Sequence, residues 1–156
     1  MLLAVVSDTH RDSYQIEKVM KKIALADVLI HLGDNVSDAE AMKLKFKGRV
    51  INVRGNCDFG SSEGSELVEE IDGVRIFLTH GHKYDVRNGI QRLRYKAEEE
   101  NIQIVLFGHT HISMVSYEYG VWFVNPGSAS EARDSFESIA MIEIDHKKIH
   151  ANIVAI

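Results

Sequence analysis

Two histidines separated by one residue, His109 and His111, follow an apolar run that ends at Phe107. Aspartate, asparagine and histidine side chains follow four earlier apolar runs in the same way. Carboxylate, amide and imidazole donors without a thiolate suit borderline divalent ions such as manganese, iron, nickel or zinc, whereas magnesium and calcium favour oxygen donors. The pattern therefore predicts a metal-centred enzyme. The candidate metal ligands are Asp8, His10, Asp34, Asn56, His80, His109 and His111.

These seven donors are too many for one tetrahedral zinc and suit two ions that share a carboxylate. Asp34, beside Gly33, is the expected bridge because glycine allows the backbone to approach the site closely. Two divalent ions facing only Asp8 and Asp34 leave a positive surplus, which a bridging hydroxide and a phosphodiester anion neutralise. Ions about 3.5 to 4 Å apart activate a shared water and stabilise in-line displacement at phosphorus. We therefore expect a phosphate ester as the substrate.

The elements that would position these donors are apolar strands that end in polar turns. Residues 2–7 are nearly continuously apolar, as in a strand covered on both faces, and Asp8 follows directly. Asp72-Gly73 is a hairpin turn signal between two further strands. With one residue between them, His109 and His111 are expected to point to the same side of an extended segment, each serving a different ion. The other predicted strands are 27–32, 49–54, 66–71, 74–79, 102–107, 113–119, 121–125, 139–144 and 149–156.

Three helices are predicted between the strands. Asp12 or Ser13 caps the first, along which Ile16, Val19, Met20 and Ile23 recur at helical spacing. Ser37 with Glu40 forms a capping-box signal for a second helix that extends to about Phe46. The third is expected over residues 86–100.

The order of elements predicts an α/β fold in which mixed sheet packs between helices, as two stacked sheets. In such folds ligands bind beyond the carboxyl ends of the strands, where all the candidate ligands lie. The length of 156 residues is typical of one domain, so residues 1–156 are expected to form a single domain.

Composition excludes several classes of protein. A hydrophobic fraction of 45% and a charged fraction of 26% are ordinary for a globular chain, and no apolar run approaches the ~18 residues of a membrane span. The apolar start lacks a basic leader and meets Asp8, so a first strand is expected rather than a signal peptide. Cys57 is the lone cysteine, which favours a reducing cytoplasm. The net charge of −5 argues against an extended nucleic-acid partner.

Five motifs, in this order, resemble the calcineurin-like metallophosphoesterase superfamily: Asp8-x-His10, Gly33-Asp34, Gly55-Asn56-x-Asp58, His80 and Gly108-His109-x-His111. The resemblance spans residues 8–128 and includes an Asn-Pro-Gly-Ser turn at 125–128, as in small stand-alone bacterial and archaeal phosphodiesterases. It implies a four-layer sandwich of two mixed sheets flanked by helices. It also implies hydrolysis of small phosphodiesters by a metal-bridged hydroxide at a dinuclear centre, with manganese favoured over nickel, iron or zinc.

The resemblance divides the ligands between two ions. It places Asp8, His10, Asp34 and His111 on one ion, and Asp34, Asn56, His80 and His109 on the other.

The chain departs from this pattern at Cys57, where many members of the family have a histidine that assists the leaving group. A thiol is a poor general acid, so we expect preference for esters with good leaving groups unless His82 supplies the proton. Asp34, Asn56 and His82 are thus the candidate catalytic residues. Asp58 either orients a site group or closes its turn, and His31 is expected to be a hydrogen-bonded core histidine.

Two classes of function stay open. The first is a dinuclear phosphodiesterase, with a phosphomonoesterase or nuclease as variants. The second is a non-catalytic protein-binding scaffold, like the small retromer subunit of eukaryotes. A scaffold has no physical need for seven intact ligands, which favours the enzyme. The sequence leaves the physiological substrate, the native metal and a homo-oligomeric state undecided.

Overall fold

Two five-stranded mixed sheets form the centre of the computed structural model, which describes residues 1–156. The first sheet has the order β10-β9-β1-β2-β3 and the second the order β4-β5-β6-β8-β7. The strands are β1 (Leu2–Val6), β2 (Val28–His31), β3 (Arg49–Asn52), β4 (Glu66–Ile71), β5 (Val74–Thr79), β6 (Ile104–Leu106), β7 (Ser113–Glu118), β8 (Val121–Pro126), β9 (Ser138–Asp145) and β10 (Lys148–Ala155).

Alternation along the central strands divides their side chains between two cores. In β1, Leu3 and Val5 enter the core between the sheets, whereas Ala4 and Val6 face the opposite way. In β5, Phe77 likewise faces away from the inter-sheet core. Successive side chains of a strand point to opposite faces, so a strand covered on both sides is apolar at every position. This explains the nearly continuous apolar runs of the sequence.

Helices cover the outer face of each sheet. The helices α1 (Ser13–Lys22) and α2 (Val36–Lys43) pack through Val19 and Met42 on the first sheet. The helix α3 (Gln91–Glu99) packs through Leu93 on the second. The layers are therefore helices, sheet, sheet and helix, and the predicted four-layer α/β sandwich is confirmed.

Parallel pairing brings the carboxyl ends of several strands to one edge of the sandwich. β1 and β2 pair in parallel, as do β2 and β3. In the second sheet β6 is parallel to both β5 and β8. The loops after β1, β2, β3, β5 and β6 carry all the predicted ligands, so the fold gathers them at this edge.

Two predicted helices differ from the structure. The capping box at Ser37 is wrong: α2 begins at Val36 after Asn35, whose φ of 77° is left-handed and whose side chain makes no capping bond, and it ends at Lys43 rather than Phe46. The helix predicted over 86–100 begins only at Gln91, because Gly89, at a φ of 126°, separates it from a 3-10 turn at Val86–Asn88.

Other local predictions are confirmed. Asp12 caps α1 by accepting a hydrogen bond from the Gln15 N–H at 3.0 Å. Asp72 and Gly73 form the predicted hairpin turn between β4 and β5 with φ values of 53° and 73°. None of the helices has the length and apolar character that a membrane crossing requires.

Candidate metal centre

Asp8 lies at the middle of the candidate site, directly after β1 and fully buried. Its Oδ1 is 3.1 Å from Nε2 of His111 and 3.9 Å from Nε2 of both His10 and His80. Its Oδ2 accepts hydrogen bonds from the Ser7 hydroxyl at 2.5 Å and the His109 N–H at 3.2 Å. Asp8 is thus held by one oxygen, while the other faces three imidazoles.

The predicted ligands form two groups around this carboxylate. Asp8, His10 and His111 offer donor atoms within 4.8 Å of one another, and the two histidine Nε2 atoms are 3.4 Å apart. Asp8, Asp34 and His80 form a second such group, with Asp34 Oδ2 3.5 Å from His80 Nε2. Asp8 is common to both groups, whereas Asp34 belongs to the second.

Asn56 and His109 extend the second group. The Oδ1 atom of Asn56 is 3.1 Å from His80 Nε2, and Nδ1 of His109 is 3.2 Å from the same atom. His109 therefore turns Nδ1 inward, whereas His10, His80 and His111 present Nε2. The two histidines of the last motif therefore lie beside different groups.

The arrangement of acceptors fits cations. Nδ1 of His80 and of His111 lies 2.9 Å and 2.7 Å from the carbonyl oxygens of Leu32 and Glu131, respectively. Because these nitrogens donate their protons to the carbonyls, each neutral ring presents an Nε2 lone pair. That of His111 faces Asp8 and His10, and that of His80 faces Asp34 and His109. Asp8 Oδ1 is buried without a hydrogen-bond partner. Converging lone pairs need a proton or a metal ion between them, so this donor set suits divalent ions.

Burial and neighbouring charges shift several pKa values here. Burial opposes ionisation of Asp8, but the neighbouring His111 and His80 rings and the hydrogen bond from Ser7 outweigh it and lower its pKa. The Asp8 carboxylate, whose Oδ1 is 3.1 Å from Nε2, raises the pKa of His111 despite burial. Burial, then His80 and Arg87, lower the pKa of His109 to about 4. His109 is therefore neutral near pH 7 and ready to bind a cation.

The backbone at the ligands is unusual. Asp8, His10, Asp34, His109 and His111 all have left-handed φ values, of 55°, 43°, 56°, 69° and 60°. This conformation is uncommon outside glycine and clusters at functional sites. The segment around His109 and His111 is therefore not extended, and the expected extended conformation is wrong. Two left-handed residues turn the chain and send the imidazoles to separate groups.

Asp58 is a positioning residue that the sequence left undecided. Its Oδ1 accepts the N–H groups of Asn35 and Val36 at 2.8 Å each, and its Oδ2 accepts those of Asp34 at 3.0 Å and Gly55 at 2.7 Å. One carboxylate thus caps α2 and ties the Asp34 loop to the Gly55-Asn56 turn. Gly55 leaves room for this contact, since a Cβ there would collide with Asp34.

A buried polar network supports the loops from the other side. The Thr9 hydroxyl donates to Asp38 Oδ2 at 2.6 Å and lies 3.1 Å from His31 Nε2, whose ring also accepts the Gly33 N–H at 3.2 Å. Burial lowers the pKa of His31, so a neutral ring bridges the Asp8 and Asp34 loops. The prediction of a hydrogen-bonded core histidine is confirmed.

His82 and Cys57 flank the second group. The His82 ring centroid is 5.5 Å from that of His80 and 6.2 Å from that of His109, and its Nδ1 is buried without a hydrogen-bond partner. Burial lowers the pKa of His82. The Cys57 N–H donates to Asp34 Oδ1 at 2.9 Å, while its exposed thiol has a pKa that burial and Asp34 raise to about 11.

Comparison with known proteins identifies the family of the chain. Residues 1–147 match the family model described as Calcineurin-like phosphoesterase superfamily domain. A probable metallophosphoesterase of Methanothermobacter thermautotrophicus is 31% identical over 159 residues, covering 99% of this chain and 92% of that protein. Phosphodiesterase YfcE of Escherichia coli is 28% identical over 157 residues, covering 83% of this chain and 80% of that protein.

A solved structure extends the likeness of fold. Vps29 from Entamoeba histolytica, in complex with Zn²⁺, superposes with a TM-score of 0.81 at 20% identity and covers 99% of this chain and 98% of that chain. At this identity the likeness shows the shared fold alone. Taken with the family match, the chain belongs to the calcineurin-like phosphoesterase superfamily and is a metallophosphoesterase.

Proposed function

We propose that this protein is a metal-dependent phosphodiesterase that hydrolyses small phosphodiesters at a dinuclear centre. The observation that carries the proposal is Asp8 Oδ1, which is buried without a hydrogen bond and faces the Nε2 atoms of His10, His80 and His111. Two divalent ions would supply an activated water as nucleophile and positive charge for the phosphoryl oxygens. The phosphodiesterase name of the E. coli relative supports the diester substrate.

In this proposal the first ion is held by Asp8, His10, Asp34 and His111, and the second by Asp34, Asn56, His80 and His109. The two groups of donor atoms support the division. Asp34 stays the proposed bridge, although Asp8 is the carboxylate common to both groups. Manganese is the preferred ion, with nickel, iron and zinc as alternatives, because the donors are oxygen and imidazole.

The residues proposed for catalysis lie in or beside the second group of donor atoms. The Oδ1 atom of Asn56 is held against His80, which places Asn56 to orient the phosphate of the substrate. His82 has a lowered pKa, so near neutral pH its ring is neutral. We propose that it gives a hydrogen bond to the ester rather than a full proton, which leaves the enzyme dependent on good leaving groups.

The same fold also serves the alternative of a protein-binding scaffold. The buried, converging donors favour the enzyme, because a scaffold would be more stable with fewer buried acceptors that lack partners. A phosphomonoesterase or nuclease would use the same ligands. We propose small diesters as substrates and the cytoplasm as the location, since the one cysteine forms no disulfide within the chain.

Hydrolysis of an aryl phosphodiester by metal-free protein tests the proposal. Manganese, nickel, zinc or magnesium would be added back, and we expect turnover with at least manganese. His109→Ala should abolish most of it, while His146→Ala, which alters an exposed hairpin histidine, should not. Turnover without metal, or full turnover by His109→Ala, would count against the enzyme.

A further inference from the structure

An apolar groove of about 460 Å³ lies beside the metal centre. Thr110, between the ligands His109 and His111, forms part of its wall, so the groove and the centre share the Gly108–His111 turn. The apolar side chains that line it are Val86, Ile90, Phe107, Ile112 and Met114. Small-molecule sites are typically about 300 to 1,000 Å³ and mostly apolar, which this groove matches.

The polar residues of the lining are already hydrogen-bonded within the chain. Asn125 donates to Gly108 O and Thr110 Oγ1 at 3.0 Å each, and its Oδ1 accepts the Gly127 N–H at 2.9 Å. The Ser113 hydroxyl donates to Asp134 at 2.6 Å, and Glu118 accepts from the Ser116 hydroxyl at 2.5 Å. The groove therefore offers apolar contact and few free hydrogen-bonding groups, so it favours an apolar occupant over a sugar.

Arg87 is the cation of the groove. It lies in the 3-10 turn Val86–Asn88, is exposed, and forms no side-chain hydrogen bond or salt bridge. It lines the groove together with Thr110, the residue between the ligands His109 and His111. A free arginine in an apolar groove beside a cation site suits an anion attached to an apolar group.

We propose that the groove binds an apolar, ring-sized organic arm of the phosphodiester, while its phosphate lies at the metal ligands and Arg87 faces the anion. The inference rests on the proposed phosphodiesterase function and defines its substrate class as diesters with an aryl or similarly apolar arm. Ile112 is the side chain to test because it is 49% exposed, so changing it leaves the core intact.

Calorimetric titration of manganese-loaded protein with phenylphosphonate and methylphosphonate tests this assignment. The two ligands carry the same anion and differ in the arm. Burial of the ring should make phenylphosphonate bind about tenfold more tightly. Ile112→Asn should lower that preference about threefold and leave methylphosphonate binding unchanged. Leu25→Asn, at an 88% exposed leucine outside the groove, is the matched control and should change neither affinity.

Arg87→Gln should weaken both phosphonates by a similar factor, because it removes charge and not apolar surface. Arg92→Gln, on the exposed face of α3, is its control. Equal binding of the two ligands by the unaltered protein, or an unchanged preference in Ile112→Asn, would overturn the assignment. Failure of both ligands to bind would instead contradict the metal phosphoesterase proposal itself, so the two failures are distinguishable.

Discussion

Nε2 of His111 lies 3.1 Å from Oδ1 of Asp8, which joins the last predicted ligand in the chain to the first. The Asp8 carboxylate at this distance raises the pKa of His111, and His111 contributes to lowering that of Asp8 although burial opposes ionisation there. A metal ion at these donor atoms competes with protons for the same lone pairs, which couples metal affinity to pH.

The left-handed conformation of His109, with φ of 69°, predicts different stabilities for two variants that both lose the imidazole. In metal-free protein, His109→Gly should be more stable than His109→Ala by about 1 kcal/mol, because only alanine retains a Cβ that strains this conformation. Urea unfolding measures the difference, and both variants should bind metal weakly. Equal stability of the two would show that the backbone at this position is not strained.

Asp58 should be more important for stability than its place in a turn suggests. Asp58→Ala removes the acceptor of four backbone N–H groups, so we expect a loss of about 3 kcal/mol in the free energy of unfolding and a large loss of metal affinity. Asp58→Asn retains one acceptor oxygen and should lie between. Asp145→Ala, at the exposed end of β9, is the control. A change below about 0.5 kcal/mol in Asp58→Ala would be incompatible with this role.

Cys57 should contribute little to the rate. With a thiol pKa of about 11 it is protonated at neutral pH, so iodoacetamide should react slowly despite the exposure of the sulfur. Cys57→Ala should change turnover by less than about threefold, and Cys57→His should raise it about tenfold or more for poor leaving groups. A loss in Cys57→Ala as large as that in Asn56→Ala would require a role for the thiol in the reaction.

The Asp134 carboxylate should stabilise the folded protein in a pH-dependent way. Its carboxylate accepts from the Ser113 N–H at 2.7 Å and hydroxyl at 2.6 Å, and these bonds outweigh burial and lower its pKa. Because the pKa of Asp134 is lower in the folded protein than in the unfolded chain, its ionised form stabilises the fold above the pKa of unfolded aspartate, about 3.9. This stabilisation is lost as the pH falls through the folded value. Asp134→Asn should therefore cost about 0.5 kcal/mol at pH 7, since the group is exposed and screened.

The loss of unfolding free energy in Asp134→Asn should shrink between pH 6 and pH 3. Urea unfolding at several pH values measures this change. A cost that grows with acidity would mean that the Asp134 charge opposes folding.

Much of the fold and the position of the site follow from the order of residues. The central strands could be predicted from apolar runs, because a strand covered on both faces is apolar at every position. In β1, for example, Leu3 and Ala4 enter different cores. Because parallel strands end at one edge of a sheet, the polar residues after them were predicted to meet, and Asp8, Asp34 and His80 do so.

What the sequence could not supply depends on contacts between distant residues. Asn35 has no side-chain cap because Asp58 provides it across the loop, so a local capping signal at Ser37 was misleading. The conformation of His109 and His111 is likewise fixed by surrounding contacts, such as the bond from the His109 N–H to Asp8, rather than by local preference. The groove beside Ile112 exists only once β7 and the turn at Arg87 are packed together.

The most direct test of the account is a titration of metal-free protein with Mn²⁺ while hydrolysis of bis(p-nitrophenyl) phosphate is followed. A dinuclear centre predicts that turnover rises until two ions are bound per chain, and that Asp8→Asn, which alters the buried carboxylate between the imidazoles, shows almost none. Saturation at one ion per chain would contradict the dinuclear centre. Turnover that is independent of Mn²⁺ or intact in Asp8→Asn would contradict the proposed enzyme.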